Sequence, residues 1–242
     1  MDLRNKAVLV TGGSQGLGAA LARTVAERGA RVVVAARHDA ALEAVVHDIR
    51  SRGGDAHAVV TDIGDKAGIY PLTGTAAALV GPIDVLVHNA STLGRTPLKL
   101  LLDTDCEDLE QVLAVNLVGP FRLSKAIAGS MALRGAGVIV HVTSDASVNA
   151  YPTWGAYSVS KAALDHLARL FAAELDEVGV RSFSVDPGEM DTQMHRDALP
   201  DANPDELARP AAVAERIVRM IEHARDIPNG ARLEAATWKE PP

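Results

Sequence analysis

The segment from residue 7 to residue 18 reads AVLVTGGSQGLG, a short apolar run followed by a glycine-rich turn. Ala7 to Thr11 has the length and composition of a buried β-strand. The run from Ala19 to Arg28 has apolar residues at helical spacing and is closed by Gly29, which is typical of an amphipathic helix. The segment therefore predicts a strand, a tight turn and the start of a helix.

A glycine turn between a strand and a helix is suited to binding a phosphate group. Free amides at the helix start and the helix dipole both favour an anion there, and glycines let a pyrophosphate approach the backbone. The spacing of Gly12, Gly16 and Gly18 differs from the commoner Gly-x-Gly-x-x-Gly pattern. A simple tight connection without a ligand is the less favoured alternative for the turn taken alone.

Strands and helices alternate along the rest of the chain. Further strands are predicted at 31–36, 56–61, 84–88, 138–143 and 180–185, and residues 232–236 can add another. Helices are predicted at 40–52, 69–79, 108–131, 157–177 and 210–222, with an irregular stretch after residue 188. This alternation predicts an α/β fold with a doubly wound parallel sheet. The 242 residues show no low-complexity break, so a single domain over 1–242 is expected.

Composition excludes several classes of function. The net charge of −7 without a basic cluster argues against a nucleic-acid partner. Cys106 is the only cysteine, so neither an internal disulfide nor a thiolate metal cluster is possible, and no metal site is expected. The chain shows no signal-peptide pattern and no apolar run of spanning length. A soluble, cytoplasmic protein without a membrane partner is the resulting expectation.

One tyrosine and one lysine stand four residues apart in the predicted helix 157–177. Positions i and i+4 share a helix face, so the Tyr157 phenol and the Lys161 ammonium can lie side by side. A phenol titrates near about pH 10, and an adjacent ammonium is expected to lower that pKa toward neutrality. Ser144 ends the predicted strand 138–143 and can reach the same place. Such a pair also occurs on exposed helix surfaces without function.

The end of the second strand bears on the choice of dinucleotide. An acidic residue there would bind the ribose 2′-hydroxyl of NAD, whereas an arginine suits a 2′-phosphate. Ala36, Arg37 and Asp39 follow the strand here. Arg37 is interpreted as a cofactor contact, with an exposed loop charge as the alternative, and Asp39 as the cap of the helix 40–52.

Two other patterns concern the helix near residue 108. Thr104 and Glu107 have the spacing of a capping box. Asn116 lies on the apolar face of this helix, where an amide must find partners. A purely structural bridge to the backbone is as good an interpretation of Asn116 as a functional role.

Together these motifs resemble the short-chain dehydrogenase/reductase family. The resemblance rests on the glycine turn, Asn89-Ala90, Asn116, Ser144, Tyr157-x-x-x-Lys161 and Pro187-Gly188, in this order from residue 6 to about 192. It implies a Rossmann-type sheet in a three-layer αβα arrangement and a nicotinamide cofactor. Hydride transfer is the chemistry which that cofactor supplies.

The resemblance also implies roles for individual residues. Tyr157 would exchange a proton with the substrate oxygen, Lys161 would lower the Tyr157 pKa and bind the nicotinamide ribose, and Ser144 would hold the substrate oxygen. Asn116 would keep a water that links Lys161 to solvent. The expected cofactor-binding residues are Gly12, Ser14, Gln15, Gly16, Leu17, Gly18, Arg37, Asp62, Ile63, Asn89, Ala90, Tyr157, Lys161, Pro187, Gly188 and Thr192.

The chain departs from the family pattern at three places. His88 and Ser91 flank Asn89-Ala90; His88 is interpreted as a packed residue, and Ser91 adds a Cβ where the backbone would approach the cofactor. Asp145 follows Ser144 and is interpreted as a turn cap, with repulsion of acidic substrates as the alternative. The segment 230–238 replaces the family's usual C-terminal pattern, which puts the usual tetramer interface in question.

The function expected from these observations is an oxidoreductase that transfers a hydride between NADP(H) and a small or medium carbonyl or alcohol substrate. A catalytically idle NADP(H)-binding sensor on the same fold is the alternative, because a fold alone does not fix a function. A dehydrogenase that uses NAD(H) is a third hypothesis, less favoured because of Arg37. The resemblance further implies packing of the helices 108–131 and 157–177 against their copies, hence a homodimer or homotetramer.

Overall fold

The computed structural model, which describes residues 1–241, contains seven parallel strands in one sheet. They are β1 (Ala7–Thr11), β2 (Arg31–Ala36), β3 (Asp55–Val60), β4 (Val85–His88), β5 (Gly137–Val142), β6 (Val180–Asp186) and β7 (Arg232–Glu234). The helices are α1 (Gly16–Glu27), α2 (Asp39–Ser51), α3 (Ile69–Val80), α4 (Cys106–Leu113), α5 (Gly119–Arg134), α6 (Gly155–Leu175), α7 (Gln193–Ala198) and α8 (Pro210–Glu222).

The strand order β3-β2-β1-β4-β5-β6-β7 confirms the predicted doubly wound sheet. The chain runs outward from β1 through β2 to β3 and then crosses back to β4 on the other side of β1. This reversal opens a crevice at the carboxyl ends of β1 and β4, the place where such sheets bind ligands.

Helices cover both faces of the sheet, which gives the three-layer αβα arrangement. Alternate residues of β1 point to opposite faces: Val8 and Val10 pack with α1, α2 and α8, whereas Ala7 and Leu9 pack with α3 and α5. Both layers are built almost entirely from Ala, Val, Leu and Ile. Strands buried on both faces require this continuous aliphatic composition.

Several local predictions differ from the structure. Asp39 is the first residue of α2 and makes no capping bond, because the cap position is taken by His38. The capping box is also wrong: the Thr104 hydroxyl donates to the Leu100 carbonyl, and α4 begins at Cys106 without a side-chain cap. The stretch after residue 188, predicted as irregular, contains α7, whose start is capped by the Thr192 hydroxyl.

A π-helical segment, Ala114–Val118, joins α4 to α5 into one helix from Cys106 to Arg134. This 29-residue helix, with a mean hydropathy of 1.2 over its most apolar window, is the one described helix that could cross a membrane by length and composition. The sequence had indicated no such run. Val112, Leu123 and Met131 on this helix are buried in the protein core. Core helices can match a membrane span in length and composition in the same way.

Candidate functional site

A cleft with a volume of about 420 Å³ lies at the carboxyl ends of the central strands. Most residues predicted to bind a cofactor line it. They are Gly12, Ser14, Gln15, Gly16, Leu17, Gly18, Arg37, Asp62, Ile63, Asn89, Ala90, Tyr157, Lys161, Pro187 and Thr192. Gly188 is not among the lining residues. Asn116 and Ser144 are not among the lining residues either.

The glycine turn is fixed by close backbone contacts that leave no room for side chains. A Cβ on Gly18 would lie 2.2 Å from the Gly12 carbonyl oxygen, and one on Gly12 would lie 2.6 Å from the Ala90 Cα. The Asn89 amide donates to the carbonyls of Thr11 and Gly12, at 3.0 and 3.1 Å. Asn89 thus ties the turn after β1 to the end of β4.

The start of α1 faces this cleft without a side-chain cap. The cap position is Gln15, whose side chain makes no capping bond. The amides of the first helical turn are therefore available to an anion in the cleft.

The corner at the end of β2 carries two exposed polar side chains. Arg37 and His38 both line the cleft and both are exposed. Within residues 1–241, Arg37 makes no salt bridge. The nearby Asp39 lies in the first turn of α2. Sequence reasoning missed His38 as a lining residue.

Tyr157 and Lys161 lie together on one face of α6, as their spacing predicted. Tyr157 is 8% exposed and Lys161 is 2% exposed. The Lys161 Nζ lies 5.5 Å from the centre of the Tyr157 ring and donates a hydrogen bond of 2.8 Å to the Val142 carbonyl. This is a buried pair in the wall of a cleft, which excludes the exposed-surface interpretation.

The ionisation of the pair differs from the expected one. Burial raises the pKa of Tyr157 to about 12, and the charges of Asp186 and Asp145 add to this rise, while hydrogen bonds from Ser144 and Ser91 oppose it. Burial lowers the pKa of Lys161 to about 8, against the effect of Asp165 and Asp186. The expected fall of the Tyr157 pKa toward neutrality is not found in this structure, because burial disfavours the charged phenolate.

Ser144 lies beside Tyr157 at the start of a short turn. Its hydroxyl accepts from the Ala146 amide at 3.2 Å and donates to Asp145 at 3.0 Å. Asp145 also accepts from the Tyr151 hydroxyl at 2.7 Å. The interpretation of Asp145 as the turn cap is therefore wrong: Ser144 is the cap, and Asp145 orients two hydroxyl groups.

Asn116 is fully buried in the π-helical segment and every side-chain polar atom has a partner. Its Oδ1 accepts from the Thr92 amide at 2.8 Å and from the Ser91 hydroxyl at 3.2 Å. Its Nδ2 donates to the Thr92 carbonyl and to the Ser160 hydroxyl, both at 2.9 Å. The side chain thus joins the loop after β4 to α6, the structural role left open above. A water held by Asn116 would therefore have to bond a main-chain group of this residue.

Ser91 has a place in this arrangement that the sequence did not indicate. Its hydroxyl bonds Asn116 and also lowers the pKa of Tyr157. A glycine at this position would supply neither contact.

His88 and His141 form a buried pair on the neighbouring strands β4 and β5. Their rings stack at 4.9 Å, and the His88 Nε2 lies 2.7 Å from the Ser124 hydroxyl. Burial and the charge of Lys161 lower the pKa of His141 to about 3. His88 is 2% exposed, which agrees with its interpretation as a packed residue.

Apolar side chains surround the open side of Tyr157. Leu93 and Ala146 are buried against it, and the partly buried Trp154 and Met194 pack on this cluster. The Trp154 ring meets the Tyr157 ring edge-on at 5.8 Å. Met194 and Arg196 of α7 also line the cleft, and Arg196 pairs with Asp191. Sequence reasoning missed Arg196 as a lining residue.

Comparisons with known proteins agree with this geometry. The family model described as short chain dehydrogenase matches residues 6–203. An uncharacterised oxidoreductase of Thermotoga maritima is 35% identical over 78% of this chain and 73% of its own length.

Solved structures are similar over almost the whole chain. A 7α-hydroxysteroid dehydrogenase complexed with NADH and 7-oxo glycochenodeoxycholic acid is 30% identical, with a TM-score of 0.88 over 96% of this chain and 93% of that one. A short chain dehydrogenase of Shigella flexneri complexed with NADP is 25% identical, with a TM-score of 0.90 over 97% of this chain and 99% of that one. The chain therefore belongs to the short-chain dehydrogenase/reductase family of oxidoreductases.

Proposed function

We propose that this protein is an NADP(H)-dependent oxidoreductase that interconverts a small or medium carbonyl compound and the corresponding alcohol. The observation that carries the proposal is the buried Tyr157–Lys161 pair, which opens onto a cleft that begins at an uncapped, glycine-bounded helix start. An acid–base group beside an anion-binding turn is the arrangement that a dinucleotide-dependent enzyme needs.

The residues present fit a nicotinamide dinucleotide. The first turn of α1 offers free amides for the pyrophosphate, and Gly12 and Gly18 keep the backbone accessible because a Cβ would clash. Asp62 and Ile63 would frame the adenine, Asn89 and Ala90 the adenosine side, and Pro187 with Thr192 the nicotinamide end. When bound, the cofactor would supply or accept the hydride.

The protein's own groups would handle the proton and the substrate oxygen. With a pKa of about 12, the Tyr157 hydroxyl is protonated at neutral pH and can donate to a carbonyl oxygen. The Lys161 ammonium, with a pKa of about 8, stabilises the phenolate that remains and can hold a ribose hydroxyl. The Ser144 hydroxyl would hold the substrate oxygen, for which its bond to Asp145 must be exchanged.

The pocket beside Tyr157 indicates the kind of substrate. Leu93, Trp154 and Met194 offer apolar contacts there, and apolar walls with few polar anchors suit a ketone or aldehyde of moderate size. The direct test is NADPH oxidation with a panel of carbonyl compounds, together with NADP⁺ reduction with a panel of alcohols.

Tyr157→Phe is the decisive variant in that assay. It removes the proton and leaves the ring, so turnover should fall by about two to four decades. Tyr70→Phe is the matched control, because Tyr70 is 72% exposed on α3 and should leave turnover unchanged. Near-normal turnover of Tyr157→Phe would contradict the acid–base role. If the wild type binds NADPH tightly but turns over no compound, the alternative of a catalytically idle NADP(H)-binding sensor would be favoured instead.

The preference for NADP(H) over NAD(H) rests on Arg37. The guanidinium can meet a 2′-phosphate with charge-assisted hydrogen bonds worth about 1.5–3 kcal/mol each, roughly ten- to a hundredfold in affinity. Arg37→Ala should therefore raise the KM for NADPH by about tenfold or more and leave NADH use almost unchanged. The exposed Arg225 provides the control variant Arg225→Ala. A wild type that prefers NADH would overturn this assignment.

We also propose that the chain is one cytoplasmic domain that assembles as a homodimer or homotetramer through α5 and α6. Phe121, Leu133, Val159 and Leu170 on these helices are exposed by 43–92%. Such an assembly would cover these large exposed apolar side chains.

A further inference from the structure

Arg232 lies on the edge strand β7, and its side chain contacts the elements that carry the proposed catalytic residues. Its guanidinium lies 2.9 Å from Asp186 and 3.3 Å from Asp165, and it donates to the Ser144 carbonyl at 3.0 Å. The side chain is only 13% exposed, and the side chains of Asp165 and Asp186 are 6% and 9% exposed. Three charged groups are therefore held together in a nearly closed space.

These partners belong to the elements that carry the proposed catalytic residues. Asp165 lies one helical turn after Lys161 on α6, and Asp186 ends β6 directly before Pro187. The Ser144 carbonyl belongs to the residue whose hydroxyl lies beside Tyr157. One side chain thus connects the catalytic helix, the strand next to the nicotinamide end and the Ser144 turn.

The charges of this group act on the catalytic pair. Asp165 and Asp186 both raise the pKa of Lys161, and Asp186 raises that of Tyr157. Arg232 lowers the pKa of Asp186 against the effect of burial. The other titratable groups facing this place are His141 on β5, Asp145 beside Ser144, and the exposed Glu234, which lies 3.6 Å from Arg232.

Arg232 forms salt bridges with both carboxylates. Both oxygens of Asp165 are buried without a hydrogen-bond partner, so its charge depends on the guanidinium at 3.3 Å and on the nearby ammonium of Lys161. Asp186 otherwise accepts only from the Gly188 amide. A buried charge that loses its partner becomes strongly unfavourable and pulls its neighbours out of place.

We infer that Arg232 is a positioning residue for the reaction: it fixes the Ser144 turn against β6 and balances two carboxylates next to Lys161. This inference rests on the proposed function of Tyr157, Lys161 and Ser144. It places a determinant of activity in the C-terminal segment 230–238, where the chain departs from the pattern of its family.

The test compares the pH dependence of turnover in Arg232→Met and in a matched arginine variant. Arg181→Met is the control, because Arg181 also lies on the sheet, pairs with Asp176 at 3.0 Å and is 24% exposed, but it sits at the opposite end of β6. Removal of a cation favours the protonated forms of Lys161 and Tyr157. The pH of half-maximal alcohol oxidation should therefore rise by about half to one unit in Arg232→Met.

Two further variants separate position from charge. Arg232→Met with Asp165→Asn removes one cation and one anion, so the pH profile should return toward that of the wild type. The kcat should stay about tenfold or more below the wild-type value, because the charge-assisted bond to Ser144 is still missing. Arg232→Lys should keep the profile and recover part of kcat. The KM for the cofactor should change less than twofold in all three variants.

A measurement without turnover accompanies these assays. The pKa of Lys161, followed by NMR in protein with isotope-labelled lysine and assigned with Lys161→Arg, should rise in Arg232→Met and not in Arg181→Met. An Arg232→Met protein with unchanged kcat, pH profile and Lys161 pKa would overturn the inference, as would equal changes in both arginine variants. A wild type without turnover would refute the proposed function alone, and the Lys161 titration would then still decide the role of Arg232.

Discussion

Replacement of Asn116 tests whether its buried bonds are structural. Asn116→Ala removes the side-chain partners of two Thr92 backbone groups, the amide bonded at 2.8 Å and the carbonyl bonded at 2.9 Å. Ser160 keeps its bond to the Tyr157 carbonyl at 2.7 Å, and Ser91 is partly exposed and can turn to water. The loss therefore comes mainly from two partly buried backbone groups, at about 1–3 kcal/mol for each fully buried group.

Because both groups are only partly buried, the upper part of the sum does not apply, and the free energy of unfolding should fall by about 2–4 kcal/mol. For a chain of this size this is a Tm decrease of roughly 4–16 °C. Thermal unfolding followed by circular dichroism measures this change. The turnover of Asn116→Ala should also fall at temperatures where the variant is folded, since the freed loop carries Ser91 and the freed helix carries Tyr157.

Asn229→Ala is the control that separates stability from catalysis. The Asn229 side chain accepts from the Ser182 amide at 2.8 Å and donates to Asp176 and Ala172 at 2.8 and 3.1 Å, at the end of the sheet opposite the cleft. It should lose comparable stability and keep its kcat. A Tm of Asn116→Ala within about 1 °C of wild type would refute the energetic argument. Equal loss of turnover in both variants would refute the catalytic one.

Three other outcomes follow from the structure. Ser144→Ala should lower turnover and leave NADPH affinity nearly unchanged in a fluorescence titration, and a large loss of cofactor affinity would give Ser144 a different role. Gly18→Ala should weaken NADPH binding by about tenfold or more, because its Cβ would lie 2.2 Å from the Gly12 carbonyl; Gly74→Ala on α3, where a Cβ meets no atom within 4 Å, should instead stabilise the protein by about 0.5–1 kcal/mol. The free energy of unfolding should fall as the pH decreases from about 6.5 toward 3, because His141 binds a proton in the unfolded chain but stays neutral in the folded protein, where its pKa is about 3. His141→Gln should reduce this loss of stability at acid pH, and an unchanged loss would contradict a buried neutral His141.

Light scattering tests the proposed assembly in the same preparations. The exposed apolar side chains on α5 and α6 should be covered in a homodimer or homotetramer. A monomer at micromolar concentration would remove the proposed interface.

The sequence by itself determined the architecture of this protein. Aliphatic runs alternating with amphipathic segments predicted the strands and helices within a few residues, because buried parallel strands and helix faces demand those periodicities. The glycine turn and the Tyr157–Lys161 spacing predicted which residues meet in the cleft, since both patterns act over a few residues. The roles of these residues in catalysis stay predictions.

Only the tertiary structure decided the properties that depend on distant contacts. The pKa of Tyr157 rises because the fold buries the phenol, and the spacing of Tyr157 and Lys161 in the sequence does not show this burial. The Asn116 side chain donates hydrogen bonds to Thr92 and Ser160, which are 24 and 44 positions away along the chain. Arg232 reaches Ser144 across 88 positions because β7 joins the sheet beside β6. Local patterns determine where strands and helices form, but long-range packing determines desolvation and the pairing of buried charges, and these set the chemistry of the site.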